Sequence, residues 1–442
     1  MTVPHVVAWN ITRRCNLACA HCYISAGSWH SAADELPTDE CLRIVDEILA
    51  ANPSPMLILS GGEPLVRHDL ETIAAHASAG GATVVVGTNG TGLTDDRIAS
   101  LKAAGVQGVA ISIDSLNPVY HDRFRHGTGA LADTLAAVDR LNAAELDFIV
   151  QTTVTRGNRD ELPALAAWSA ERGAVSFNVY FLVETGRGEG MRGMSPDEND
   201  AVLAELLLLE AKYRGRMMVR SKCQPQIMRH AWEARGAGGA GSGGGEEASP
   251  DSPLLNYETR CPCGVHYCRI TPEGKVTPCP YMPAVAGDLR EASFAEIWEG
   301  AELFRRLRAP ERELGGKCGD CEYGIVCGGC RARAYAAAGD PLGPDESCAY
   351  EPDGSRELIR PAGSGVMYGA AGRGPELAWT PEAEARVRRI PSFVRAVVMD
   401  RVETWARENG YDEVTADMLS ELRSRMPVDF SRRRPFFLGG KR

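Results

Sequence analysis

No stretch of the 442-residue chain approaches about eighteen consecutive apolar residues, so nothing in it reads as a bilayer-spanning helix. Nor does its beginning show the basic, apolar and small-residue sections that together make a signal peptide. A basic excess is missing too: 59 acidic residues against 48 basic give a formal net charge of −11. That balance makes a poor generic ligand for phosphate backbones or anionic lipid, so neither nucleic acid nor a membrane is an expected partner. Together these absences predict a cytoplasmic protein. In that reducing compartment, fourteen cysteines argue for metal ligation over disulfides.

Those cysteines are unevenly spread. Cys15, Cys19 and Cys22 fall within eight residues, and nine more lie between Cys261 and Cys348. Around them, residues 1–220 alternate short apolar runs with amphipathic stretches. Strands are predicted over 5–11, 56–60, 83–88, 106–113, 147–154 and 175–183, with helices such as 39–50 and 95–105 between them. Six such repeats imply an α/β fold, a parallel sheet that is open or curled into a partial (β/α)6 barrel of TIM type. Parallel β/α folds carry their chemistry in the loops after the strands. Residues 221–257, rich in Gly and Ser over 233–253, are expected to form a flexible linker. The cysteine-dense block 258–352 shows only a hairpin pattern at 268–279 and a helix at 293–308, and with so little apolar core it is expected to depend on metal for its fold. A second linker, 353–378, precedes a small all-α unit over 379–442. Its helix start is Thr380–Pro381, and Val394, Val398, Val402 and Trp405 form an apolar stripe.

The spacing C-x3-C-x2-C in ITRRCNLACAHCY (11–23) sits on the loop after the first predicted strand. Thiolates favour zinc or iron–sulfur clusters. Three fall one short of the four ligands of structural zinc, and His21 is the sole adjacent candidate for a fourth. Three cysteines on a cubane cluster leave one iron open to a small molecule. A zinc loop is the competing reading.

At this spacing the chain resembles the radical S-adenosylmethionine (SAM) superfamily, and motifs at later strand ends agree. SGGEP (60–64) looks like that family's GGE motif. The resemblance implies that Gly61 and Gly62 admit the methionine end of SAM and that Glu63 accepts a hydrogen bond from its amino group. It also places Asn89 of GTNG near the cofactor, Ser112 and Asp114 of SIDS at the ribose, and Tyr23 at the adenine pocket. One electron from a 4Fe–4S cluster held by Cys15, Cys19 and Cys22 would then cleave SAM to methionine and a 5′-deoxyadenosyl radical, which abstracts hydrogen from substrate. A ferredoxin- or flavodoxin-type protein is the expected electron donor.

The block over 258–350 resembles the SPASM extension, through GKVTPC (274–279) and the run CGDCEYGIVCGGC. That run is C-x2-C-x5-C-x2-C, one residue shorter in its last gap than the common form. By this resemblance Cys261, Cys268, Cys279 and Cys330 hold one auxiliary 4Fe–4S cluster, and Cys318, Cys321, Cys327 and Cys348 hold another. Cys263 is surplus and interchangeable with Cys261, and a zinc ribbon remains the alternative. Cys41 reads as a core residue, Cys223 has no assigned role, and His30 and His266 read as loop histidines.

For substrate, CRITPEGKVTPCPYMP (268–283) and VCGGCRARAYAAAGD (326–340) resemble enzymes of the alternative haem and haem d1 pathways. Residues 382–410 resemble the C-terminal domain of the light-independent protochlorophyllide reductase B subunit. Both imply a tetrapyrrole, with Arg123, Arg125, Arg331 and Arg333 as candidate partners for its carboxylates. The expected function is therefore a radical SAM enzyme that oxidises or decarboxylates side chains of a haem-like tetrapyrrole. Two alternatives stand beside it: a maturase that modifies a ribosomal peptide, and a non-catalytic iron–sulfur or tetrapyrrole carrier.

Overall fold

Along β1 (Val6–Thr12), Val7, Trp9 and Ile11 are wholly buried on one face, while Ala8, Asn10 and Thr12 alternate to the other. This period explains why the chain curls around a sheet. It recurs in β2 (Met56–Gly61), β3 (Thr83–Thr88), β4 (Val106–Ser112), β5 (Asp147–Val154) and β6 (Ser176–Phe181). Helices α1 (Thr38–Ala51), α2 (Leu70–Ala79), α3 (Asp95–Ala103), α4 (Pro118–Arg125), α5 (Ala130–Ala143) and α6 (Leu162–Glu171) occupy the connections. All but α4 bury apolar residues with the strands' outward faces in one core. The strands are parallel neighbours in chain order. The architecture is the expected α/β barrel type, seen in a computed structural model that describes residues 3–237, 261–309, 313–354, 357–360, 375–388, 390 and 392–424.

The sheet is longer than six strands. After α7 (Pro196–Tyr213), β7 (Met218–Lys222) adds parallel to β6. Its five residues carry one deeply buried apolar side chain, Val219, so no apolar run announced it. Helix α8 (Ile227–Ala237) follows, pinned on the core by Ile227, Met228 and Ala231. The expected linker over 221–257 is thus corrected as far as residue 237, and its remainder lies outside the described residues.

The cysteine-rich block is not a separate lobe. Its strand β8 (Tyr267–Ile270) pairs parallel with β1 on the edge opposite β2, and β9 (Lys275–Thr277) and β10 (Gly287–Asp288) follow antiparallel. The result is one ten-stranded sheet. The expected helix over 293–308 is two, α9 (Phe294–Gly300) and α10 (Glu302–Arg308), broken where Ala301 turns extended. Phe294, Ile297, Trp298 and Phe304 from these helices join the barrel's own core. This packing supplies apolar burial that the block's composition did not suggest. Short α11 (Gly316–Gly319) and α12 (Arg331–Ala338) complete the block.

The C-terminal unit has its own small core, built from Trp379, Val387, Val402, Val414, Met418 and neighbours. Its helices are α13 (Pro381–Val387), α14 (Ser392–Glu408) and α15 (Ala416–Ser424). It is not all-α: β11 (Ala378–Trp379) and β12 (Glu413–Val414) form a two-stranded parallel ladder. It docks where the strands begin, at the end of the barrel away from the three-cysteine loop. There Asn52 donates to Ser392 Oγ at 2.8 Å, and Arg395 donates to Ser54 Oγ at 2.7 Å.

A buried ion pair buttresses the base of that loop. Arg67, 3% exposed, grips Asp69 through two bonds of 2.6 and 2.9 Å. It also donates to the carbonyls of Ile11 at the end of β1 and of Leu36 ahead of α1. Burial alone would raise the Asp69 carboxyl, but bonds from Arg67 and Thr38 hold it down at about 2. A carboxyl depressed on folding stabilises above its unfolded pKa of about 4. That contribution, about 2 kcal/mol, is expected to disappear as pH falls from about 4 toward 2. Arg67→Met leaves Asp69 buried and unpaired, and should cost about 3–5 kcal/mol in chemical denaturation at neutral pH.

Candidate metal centres and the chamber between them

The three-cysteine loop leaves β1 and folds back on itself through local bonds. Leu17 N–H donates to Cys15 Sγ, and Ala26 N–H to Cys22 Sγ. Burial pushes the Cys15 thiol up to about 12, with the nearby Glu63, Cys19 and Cys22 adding to the effect, and burial raises Cys19 as well. Thiols buried this close resist ionising together unless a cation compensates them, which is the chemistry of a metal-binding loop. The adjacent His21 stacks flat on Phe124, ring centroids 4.4 Å apart, and burial pulls its pKa down to about 4. Among the described residues no three His, Cys, Asp or Glu side chains converge on one metal ion.

The GGE turn packs directly against this loop. Gly61 has φ +145°, and a Cβ there would lie 2.3 Å from the Thr12 carbonyl oxygen. At Gly62 it would lie 2.2 Å from that of Arg14. The glycines therefore serve first to let β2 approach the cysteine loop, with Gly62 N–H bonded to Thr12 O and Glu63 N–H to Arg14 O. The Glu63 carboxylate, 1% exposed, accepts from Leu65 N–H, Thr88 Oγ1 and Asn89 N–H. It ties the β2 turn to the β3 turn. Asn89 continues the chain of contacts, donating to Asn16 Oδ1 at 2.9 Å.

Other expected cofactor residues lie differently. Asp114 is fully buried, and burial would raise it, but the Arg125 guanidinium at 2.7 Å holds it below the ordinary carboxylate range. Its other oxygen accepts from Thr153 N–H. Asp114 is thus engaged in a buried ion pair with Arg125. Ser112, half-buried at the end of β4, has no side-chain partner among the described residues and stays available. Tyr23 faces inward, accepting from Asn10 at 2.7 Å and leaning on Tyr281.

The auxiliary cysteines gather in two groups. Cys261 meets Cys263 and Cys330, and Cys263 meets Cys279. The expected set with Cys268 is corrected: Cys268 sits on β8 opposite Val7, wholly buried in the outer apolar core, and among the described residues no cysteine thiol acts on it. Strand alternation is the reason. Tyr267 and Arg269 take the inner face, so Cys268 must face outward. Cys318, Cys321, Cys327 and Cys348 line one small pocket with Tyr323 and Tyr350. Gly328 and Gly329 of CGGC both take left-handed φ, and a Cβ on Gly329 would crowd Cys318 Sγ at 3.0 Å.

Arginines expected at substrate prove to be mostly structural. Arg125 is spent on Asp114. Arg331 is wholly buried and caps the carbonyls of Pro341 and Gly343. Arg333 binds the Cys223 carbonyl, Gln224 and the Leu182 carbonyl. Arg123 is exposed beside Tyr120. Two residues escaped the sequence reading. Arg187, after β6, clamps the cysteine loop through the Cys19 and Ala26 carbonyls at 2.9 and 2.6 Å. Arg269, on β8, lies over the Tyr23 ring at 5.9 Å. Single arginines in TGRG and CRI carry no pattern to reveal them.

Between the loop and the auxiliary cysteines lies the inner face of the sheet. Tyr23, Tyr281 and Tyr180 follow one another with centroids 5.2 and 6.4 Å apart. Tyr180 stands opposite Lys222 in register, so both face inward. Burial, with Arg220 nearby, lowers Lys222 to about 7.

Because the glycine contacts and the Arg187 clamp hold the cysteine loop, Gly62→Ala and Arg187→Met should each lower the iron retained by that loop by at least half. Iron analysis and SAM cleavage by the reconstituted protein check this, and unchanged iron content would contradict it.

Three family models match the chain. The radical SAM superfamily matches residues 9–168, an iron–sulfur cluster-binding (SPASM) domain residues 261–322, and the proto-chlorophyllide reductase 57 kD subunit residues 379–423. The AdoMet-dependent heme synthase of Methanosarcina barkeri is 42% identical over 79% of this chain and 97% of its own length. The pre-heme d1 synthase of Dinoroseobacter shibae is 31% identical over 78% of this chain and 86% of its own length. The mycofactocin maturase of Mycolicibacterium smegmatis is 31% identical over 85% and 91%. In fold, Streptococcus suis SuiB bound to S-adenosylmethionine superposes with a TM-score of 0.61, covering 79% of this chain and 78% of that one at 14% identity. The chain belongs to the radical SAM superfamily, in the SPASM-bearing branch that includes the AdoMet-dependent heme synthase.

Proposed function

We propose that this radical SAM enzyme removes a carboxylate from a side chain of an iron porphyrinoid in haem-type biosynthesis. The observation that carries the substrate class is the 42% identity to an AdoMet-dependent heme synthase over nearly that protein's whole length. The cofactors are 4Fe–4S clusters and SAM. When bound, they supply a 5′-deoxyadenosyl radical that takes a hydrogen atom from substrate.

Cys15, Cys19 and Cys22 would hold the SAM-binding cluster. Glu63 and Asn89 would position its loop, and Ser112 offers a free hydroxyl at the strand ends. Cys261, Cys263, Cys279 and Cys330 would hold one auxiliary cluster, and Cys318, Cys321, Cys327 and Cys348 the other. Eight thiolates fill both, which suits electron transfer to or from a ferredoxin- or flavodoxin-type partner. The inward tyrosines would present aromatic faces to a flat macrocycle and keep water from the radical.

Anaerobic reconstituted protein given reductant, SAM and iron-coproporphyrin III should release 5′-deoxyadenosine and a porphyrin lighter by side-chain carboxylate loss. No porphyrin change, together with SAM cleavage triggered by a short peptide, would favour a peptide maturase. The ligand sets have their own check. About twelve irons per chain are expected, falling to about eight in Cys263→Ala and unchanged in Cys268→Ala.

A further inference from the structure

Arg269, buried, and Lys222, half-buried, are basic side chains on the inner face, and among the described residues neither has a carboxylate partner. Arg269 is 6% exposed. One of its guanidinium nitrogens donates to the Pro280 carbonyl at 2.9 Å, while its buried Nε has no partner. The nearby Glu273 is taken by Arg13 at 2.9 Å. Lys222 has neither hydrogen bond nor ion pair from its ammonium group among the described residues. Basic groups drawn from water with no carboxylate to balance them carry a desolvation cost that an anion entering the chamber would relieve.

Their placement defines the anion. Lys222 ends β7 at one lip of the open sheet, and Arg269 lies on β8 beyond the other side of β1. Between them run the rings of Tyr180, Tyr281 and Tyr23, so the two charges flank an aromatic floor. Asn10, beside Tyr23 and 1% exposed, leaves its amide oxygen unpartnered in the same space. Two separated cations bounding aromatic faces match a flat conjugated ligand with carboxylates on opposite edges.

We propose that Arg269 and Lys222 form a two-point clamp for two carboxylates of the macrocyclic substrate. This rests on the tetrapyrrole reading above and gives it two specific residues, in place of the arginines that the fold has already engaged.

The test is a Soret-band titration of cluster-loaded full-length protein, under anaerobic conditions, with iron-coproporphyrin III and separately with its tetramethyl ester. Arg269→Gln and Lys222→Met should each weaken binding of the tetra-acid about ten- to hundredfold. Arg269→Lys should recover part of the loss. The ester should bind wild type and variants alike. Lys222→Met removes no partner among the described residues, so its effect stands even if Arg269→Gln folds poorly. Variants that bind the tetra-acid within about twofold of wild type overturn the clamp, as do variants that lose acid and ester equally. Wild-type protein that binds neither porphyrin overturns the tetrapyrrole reading itself, and the clamp with it.

Discussion

Pairing of β1 on both of its edges is the constraint on which the rest depends. On one edge β2 runs beside it from Val6 to Thr12, and on the other β8 does so from Val6 to Trp9. The first edge brings the GGE turn onto the cysteine loop that β1 feeds. The second brings the cysteine-rich block onto the same sheet. One strand, seven residues long, therefore fixes both sets of thiols in one frame. Its alternation then assigns the faces: Trp9 and Ile11 to the outer core, Asn10 and Thr12 to the interior.

Given that frame, the interior is polar and the exterior apolar, as a reaction chamber requires. The buried charges around it divide by purpose. Asp114 with Arg125, and Asp69 with Arg67, are paired and hold turns in place. Among the described residues Arg269 and Lys222 have no carboxylate partner, and both face the chamber. The described residues of the C-terminal unit, tied to Asn52 and Ser54, sit at the end of the barrel away from the cysteine loop.

Much of this was legible in the sequence. Cys15, Cys19 and Cys22, the GGE turn and six of the parallel strands are local patterns, set by residues close together in the chain. What was not legible depends on direction and partnership. Cys268 has suitable spacing, but β-alternation turns it outward and leaves Cys263 with the other thiols. Asp114 and the RARA arginines have suitable chemistry, but partners distant in sequence engage them. Strand β7 has too few apolar residues to read as a strand, because its inner positions Arg220 and Lys222 belong to the chamber.

The most direct measurement is deuterium transfer. Iron-coproporphyrin III deuterated along its propionate side chains is turned over anaerobically with SAM, and the 5′-deoxyadenosine is weighed by mass spectrometry. A deoxyadenosine carrying one deuterium, formed together with a decarboxylated porphyrin, is the predicted result. Deoxyadenosine without deuterium, beside an unchanged porphyrin, would contradict the account.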